Sequence, residues 1–496
     1  MADGRGGRAG LNERPREALA TLGRMPRTPD TDRLIELTER AWVGGHVPGI
    51  VAGVVIDGEL AWWHGVGRAH LDRPEPPNVD ALARVASVTK PFTATAILQL
   101  RDEGRLSLDD PLERHLPEFA AVQERGGLRS EVTLRRLLTH RSGLMTESPL
   151  TRWSEPRFPS REQMLAALPE TAVVIPADRA WKYSNLAFGL LGEVVARVSG
   201  RPYAAYLTDE ILAPLGMHAT ALEPDPRGVV RRMTGHTAVD HEDRPAEAPV
   251  VSLDGMAACG QLQSNVRDLA RWLAFQCRED GGPRAGAQVL SGRTLTEMHR
   301  PAFAEPDWSA GHALAWRIQR VGDRVFHTHG GGIHGYASCV AFNVPGRVGA
   351  IVLANAWPAT TPAVLAFELL EALLGEQGVP VLPPSPTGLP ARVVGDAAPI
   401  GAPAAVRPFL GRYRAEPAVL VMVEWRAGAL RLLPAVPGAL TLHAPTMLEP
   451  LPDDPRAFRV ASGRGAGEEV RFTIGPDGTT FDLGGFAYRP AGRPRA

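Results

Sequence analysis

The stretch ASVTKPFTATAILQLRDEG, residues 86–104, constrains the fold more than any other part of the chain. A small residue precedes Ser87, the run stays largely apolar to Leu100, and Gly104 offers a stop, so the pattern predicts a helix from about Ser87 to Glu103. Its apolar residues go almost all the way round, which requires burial on every side. The three-residue spacing puts Ser87 and Lys90 on one face, with the ammonium within reach of the hydroxyl. Pro91 is tolerated because first-turn amides lack helical partners anyway.

Lysine usage gives that pair added weight. Of the 54 basic residues only two are lysine, Lys90 and Lys182. Arginine keeps its proton in proteins, whereas a buried lysine can be driven towards neutrality and serve as a base. A chain that writes arginine almost everywhere and lysine here points to chemistry at Lys90.

With 496 residues the chain has room for two or three domains and a large core. A formal net charge of -1 gives no reason to expect nucleic acid or an anionic membrane as partner. Cys259, Cys277 and Cys339 are too few and too scattered for a disulfide framework or a zinc site and read as buried thiols. Residues 1–30 are arginine-rich, read as a flexible arm, and contain no apolar run suited to a signal peptide or membrane span. A cytoplasmic protein is therefore expected.

In chain order, TDRLIELTERAWV reads as an amphipathic helix to about Val43. IVAGVVIDGELAWWHGVG reads as a hairpin turning at Asp57 and Gly58. Thr133 is placed to cap TLRRLLTH, and His140 beside the following turn reads as structural. In WKYSNLAFGLLGEVVARVSG, Tyr183 and Asn185 lie two apart before an apolar helix, so phenol and amide can face one cavity while Lys182 points away. Asn265 or Ser264 is a cap for the helix through Phe275. HALAWRIQ, RVFHTHGGGIHGYASCVAFNVPG and RVGAIVLANA have strand character, with HTHGGG as a break in the pattern. His327, His329 and His334 raise a metal site, but no carboxylate or cysteine completes a ligand set nearby in sequence, so none is expected. TTPAVLAFELLEALLG is a last helix. Residues 377–408 are crowded with Pro, Gly and Ala and read as a linker, and residues 409–490 as a small all-β domain of up-and-down barrel type.

SVTK at Ser87, YSN at Tyr183 and HGG at His329, in that order, resemble the serine β-lactamase and penicillin-binding-protein superfamily, in its class C β-lactamase, D-aminopeptidase and esterase branch. LDDPLERHLPEF, LLTHRSGL and PLGM support the likeness, which covers roughly residues 47–375, within a domain taken as 31–376. The resemblance implies an α+β fold, an antiparallel sheet flanked by helices, and a C-terminal lipocalin-like barrel that walls the cleft. It implies Ser87 as nucleophile, with Lys90 and Tyr183 sharing general-base and general-acid work. Asn185 would orient the substrate amide or Lys90. His329 stands where many relatives carry lysine, and Gly331 keeps that strand bare for the substrate backbone. The amides of Ser87 and Gly332 would form an oxyanion hole worth roughly 3 kcal/mol per donor.

Two departures bear on substrate choice. Gln261 replaces a family glycine and is expected to narrow the cleft, and Ala177 follows Pro176 where Pro-Gly is usual. In the barrel, Tyr488 and Arg489 offer a carboxylate contact. The first expectation is an acyl-enzyme hydrolase of small-molecule or peptide substrates, ester or amide, D-configured residues included, without a cofactor. The alternatives are a penicillin-binding-protein-type thioesterase that releases and cyclises nonribosomal peptides from a carrier protein, and an inactive scaffold.

Overall fold

Helix α1 (Thr31–Gly45) begins where the Asp30 carboxylate accepts a bond from the Arg33 amide. It leads into β1 (Gly49–Ile56) and β2 (Glu59–Gly67), whose turn residues Asp57 and Gly58 both have positive φ, 51° and 90°, as a two-residue hairpin of matching twist requires. In this computed structural model the described residues are 28–222, 232–237, 245–278, 289–357, 359, 361–374, 401–416, 419–426, 428–434 and 446–491. The arm expected at residues 1–30 lies almost wholly outside them, as does most of the expected linker.

The apolar stretch after Ser87 forms α2 (Thr89–Asp102), with 11 residues buried, Phe92 stacked on Trp272 at 3.7 Å between ring centroids. Further on come α3 (Leu134–Leu138), capped by Thr133, then α4 (Asn185–Ser199), the single turn α5 (Ala257–Gly260) and α6 (Val266–Gln276), capped by Asn265. Six strands follow: β3 (Phe303–Ala304), β4 (Ala310–His312), β5 (Arg317–Val321), β6 (Arg324–Ile333), β7 (Tyr336–Asn343) and β8 (Val348–Ala354). They join the first hairpin in one antiparallel sheet of order β2-β1-β8-β7-β6-β5-β4-β3. β1, β7 and β8 are buried at every residue because both faces are covered. On one side α1 and α7 (Thr361–Leu374) pack over Ile50, Val54, Phe326 and Val352. On the other, α2, α4 and α6 build the larger core around Phe92, Phe188, Trp272 and Phe342.

HTHGGG does not break the sheet. β6 runs straight through it, paired from His327 with Phe342 to Ile333 with Tyr336, because hydrogen bonds to β7 hold extended backbone that the glycines alone would leave free.

The C-terminal part is a closed antiparallel barrel: β9 (Gly411–Ala415), β10 (Val419–Arg426), β11 (Ala429–Pro434), β12 (Thr446–Leu451), β13 (Asp454–Val460), β14 (Glu469–Gly475), β15 (Gly478–Leu483) and β16 (Phe486–Pro490). β9 pairs with β16 through Tyr413 and Pro490, which removes the sheet edges. Phe409, Phe458, Phe472, Phe481 and Tyr488 fill it, and Val406, inside the stretch read as linker, packs there too. A closed eight-stranded antiparallel barrel here fits the lipocalin-like domain expected from the sequence. Among the described residues no helix is long and apolar enough to cross a membrane.

Two barrel segments press on the first domain. In the turn before β16, Gly485 accepts from the Trp153 amide at 2.8 Å, and the Ala487 amide donates to Ser154 Oγ at 3.1 Å. In the loop between β13 and β14, Glu468 and the carbonyl of Arg464 meet Thr146 and Lys182.

Candidate active site

Ser87 sits in a 3-10 turn, Ala86–Val88, just ahead of α2. Ala86 takes the left-handed region, φ 49°, an unfavourable conformation for a residue with a Cβ, and it swings Ser87 to the mouth of the helix. Lys90 follows one turn on and is fully buried. Its Nζ lies 3.0 Å from Ser87 Oγ, 2.8 Å from Asn185 Oδ1 and 2.7 Å from the Cys259 carbonyl, one partner for each N–H of an ammonium. The last two are carbonyl oxygens and only accept. When the amine is neutral its two N–H bonds therefore go to them, and the lone pair is left facing Ser87.

Tyr183 also reaches the serine, its hydroxyl donating to Ser87 Oγ at 2.9 Å and its ring centroid 4.8 Å from Lys90 Nζ. The YSN triplet heads an apolar helix for a local reason: Ser184 caps α4 by accepting from the Ala187 amide, which leaves Tyr183 and Asn185 on the cavity side. His140 supports the tyrosine from behind with ring centroids 4.3 Å apart, and its Nδ1 accepts from the Ser184 amide at 3.1 Å. Burial, and then the Lys90 charge, push His140 well below the ordinary imidazole value, so it stays neutral and structural. Lys182 points away from Ser87, as expected, towards the barrel.

The cavity beside Ser87 is small, about 50 Å³. Ser87, Asn185, Gly332 and Arg464 form its polar wall, and Trp153, Trp357 and Phe486 much of the apolar one. Gly331 runs close beneath: a Cβ there would collide with the Val85 carbonyl and Ser338 Oγ, so β6 can meet the serine turn only if this residue is glycine. His329 is half-buried, its Nδ1 2.7 Å from the Gly330 carbonyl, and makes no hydrogen bond to Ser87 or Lys90. Burial first and Lys90 second push it down to about 3, so it adds no positive charge near neutral pH.

Gln261 lies elsewhere than expected. Its Oε1 accepts from Arg84 at 3.0 Å and from the Leu253 amide at 2.8 Å, so the side chain braces the wall instead of narrowing the cavity. Tyr488 is buried in the barrel and stacked on Phe481, and Arg489 is exposed on β16; the barrel cation that faces the cavity is Arg464. Arg464 stands 5.0 Å from the Tyr183 ring and donates to Glu147 at 2.7 Å. The sequence reading missed both Arg464 and Glu147. Glu147 follows LLTHRSGL closely, but Arg464 carries no local signal. Among the described residues no group of three His, Cys, Asp or Glu is arranged to hold a metal ion.

A helix-flanked antiparallel sheet with serine, lysine and tyrosine gathered at the head of a buried helix defines a β-lactamase-like fold. Residues 34–374 match the Beta-lactamase family, and the chain belongs to it. It is 27% identical over 355 residues to "Beta-lactamase-like protein 2" of Dictyostelium discoideum, covering 68% of this chain and 61% of that one. It is 29% identical over 321 residues to the D-alanyl-D-alanine-carboxypeptidase/endopeptidase AmpH of Escherichia coli strain K12, covering 62% of this chain and 80% of AmpH. The octameric penicillin-binding protein homologue from Pyrococcus abyssi shares the fold over 92% of this chain and 99% of its own, with a TM-score of 0.60 at 23% identity.

Proposed function

We propose that this protein is a serine hydrolase that cleaves ester or peptide bonds, those next to D-configured residues included, through an acyl-enzyme on Ser87, and that it works in the cytoplasm. The observation that carries the reading is that one hydroxyl lies within hydrogen-bond distance of both Lys90 Nζ, at 3.0 Å, and Tyr183 OH, at 2.9 Å. Neutral Lys90 takes the Ser87 proton as Oγ bonds to the substrate carbonyl carbon. The oxyanion turns towards the backbone at Ser87 and Gly332. The Tyr183 hydroxyl passes a proton to the leaving group, whose bond to carbon breaks, and water then resolves the ester by the reverse proton path. A D-peptide substrate is supported by the likeness to AmpH, and a free carboxylate on it by Arg464 at the cavity wall.

A second reading, transfer of a carrier-bound thioester peptide to its own amine with cyclisation, is favoured by the barrel's part in the cavity: Phe486 and Arg464 narrow the space open to water. Product analysis on a peptidyl thioester separates the two, cyclic product supporting transfer and linear product hydrolysis. The test common to both is labelling by a fluorophosphonate: the parent chain should label once, at Ser87, and Ser87→Ala not at all. A folded parent that never labels would overturn the enzyme reading in favour of a scaffold.

A further inference from the structure

The loop after α3 brings a carboxylate into the site. Glu147 is 4% exposed, and its Oε1 accepts from Asn185 Nδ2 at 2.7 Å and from Arg464 Nη2 at 2.7 Å. Its Oε2 is buried without a well-formed hydrogen bond. Holding a carboxylate in that state costs stability, so packing alone would be better served by an amide or an apolar residue.

The geometry shows what the carboxylate does. The Asn185 amide has an accepting and a donating end, and Lys90 needs the accepting one. A carboxylate only accepts, so Glu147 draws the NH₂ towards itself and leaves Oδ1 for Lys90. A flipped amide would set donors against the ammonium and oxygen against oxygen. The same Oε1 holds Arg464, which arrives from the barrel 317 residues away in sequence.

We infer that Glu147 is a positioning residue that fixes the Asn185 amide, and through it the aim of Lys90, while seating the barrel's Arg464 in the cavity. Docking of the barrel and alignment of the base thus share one carboxylate. The inference rests on the acyl-enzyme reading of Ser87 and Lys90. Charged and titratable groups face Glu147 from every side: Lys90 on α2, Lys182 ahead of α4, Cys259 on α5 and Arg464 on the barrel loop. Burial raises the carboxyl's pKa, and Arg464, Asn185, the Trp153 indole and Lys90 oppose the rise.

The experiment uses the full chain and the acylation burst with a nitrophenyl ester, measured across pH. Parent labelling at Ser87 is checked first, because its failure would remove the acyl-enzyme reading before Glu147 is in question. With labelling established, Glu147→Leu should slow acylation by about 10- to 100-fold, mainly in kcat, and Glu147→Gln, which still offers an acceptor, should recover most of it. Glu147→Gln removes an anion near Lys90 and should move the acid limb of kcat/KM to lower pH by about half a unit or more; Arg464→Met removes a cation and should move it to higher pH. Acylation by Glu147→Leu at the parental rate, or limbs that stay put or move together in the last two variants, would overturn the inference. If Glu147→Leu does not fold, the opposed shifts of the other two decide.

Discussion

Lys90 and Lys182 are the only lysines in the chain, and both are buried, at 0% and 1% exposure, yet the fold treats them in opposite ways. Lys90 is surrounded by neutral oxygens: a hydroxyl, an amide carbonyl and a backbone carbonyl. Lys182 bonds the Glu468 carboxylate at 2.7 Å, with Thr146 Oγ1 at 3.3 Å and the Arg464 carbonyl at 3.1 Å. Taking the proton from Lys182 would leave Glu468 without its counter-charge. Taking it from Lys90 strands no hydrogen-bonded anion and frees a lone pair towards Ser87. Burial draws the Lys182 pKa down, and Glu468 draws it back up. Neutral acceptors thus leave a buried amine free to act as a base, and a carboxylate turns one into a latch.

The sharpest way to break this comparison is to give the first site a cation that cannot deprotonate and to take the cation from the second. Lys90→Arg keeps the charge and loses the base, so acylation should fall about 10²- to 10⁴-fold, as for Lys90→Met, while the thermal midpoint shows a folded protein. Single-turnover ester cleavage checks this, and a Lys90→Arg variant that acylates at the parental rate would end the general-base assignment. At the other site the loss should appear in stability. Lys182→Met leaves Glu468, whose side chain is 11% exposed, facing an apolar stem, and should cost about 3–5 kcal/mol in urea unfolding. Adding Glu468→Leu should recover most of that. A single variant as stable as the parent would show that the contact is no latch.

The contrast also explains what could be read from the sequence. Ser87 and Lys90 are legible because three residues on a helix fix their separation, and Tyr183 and Asn185 because Ser184 must cap the helix they introduce. Arg464 and Glu468 are illegible because their partners at 147 and 182 lie some 300 residues away, and a cation in a glycine-rich loop looks like any solvated arginine. Gln261 departs from its expected place for a related reason: the direction of its side chain depends on Arg84 and the Leu253 amide, which are distant in sequence or carry no local signal. HTHGGG interrupts the alternating pattern because glycine propensity is local, whereas the pairing with β7 that holds this strand is not.

The rule that separates the lysines extends, with a smaller effect, to the buried imidazoles around Lys90. His140 accepts from the Ser184 amide and so must be unprotonated at Nδ1; charging it would break that bond and set a cation beside Lys90. Its folded pKa lies below the ordinary 6.5, so the folded chain declines a proton that the unfolded chain takes up. The stability gained from neutral His140 is therefore fully present above pH 6.5 and lost as pH falls towards the folded value, at about 1.4 kcal/mol per pH unit. His312 and His329, held down to about 3, and His327, to about 4, add slopes of the same sign. Urea unfolding at about pH 7, 6 and 5 should show stability falling with acid, and His140→Asn, whose amide oxygen can still accept from Ser184, should flatten the curve by roughly one proton's worth. If the parent curve is level, or His140→Asn leaves the slope unchanged, His140 takes up its proton in the folded state, and the bond that its Nδ1 accepts from the Ser184 amide is not what keeps the imidazole neutral.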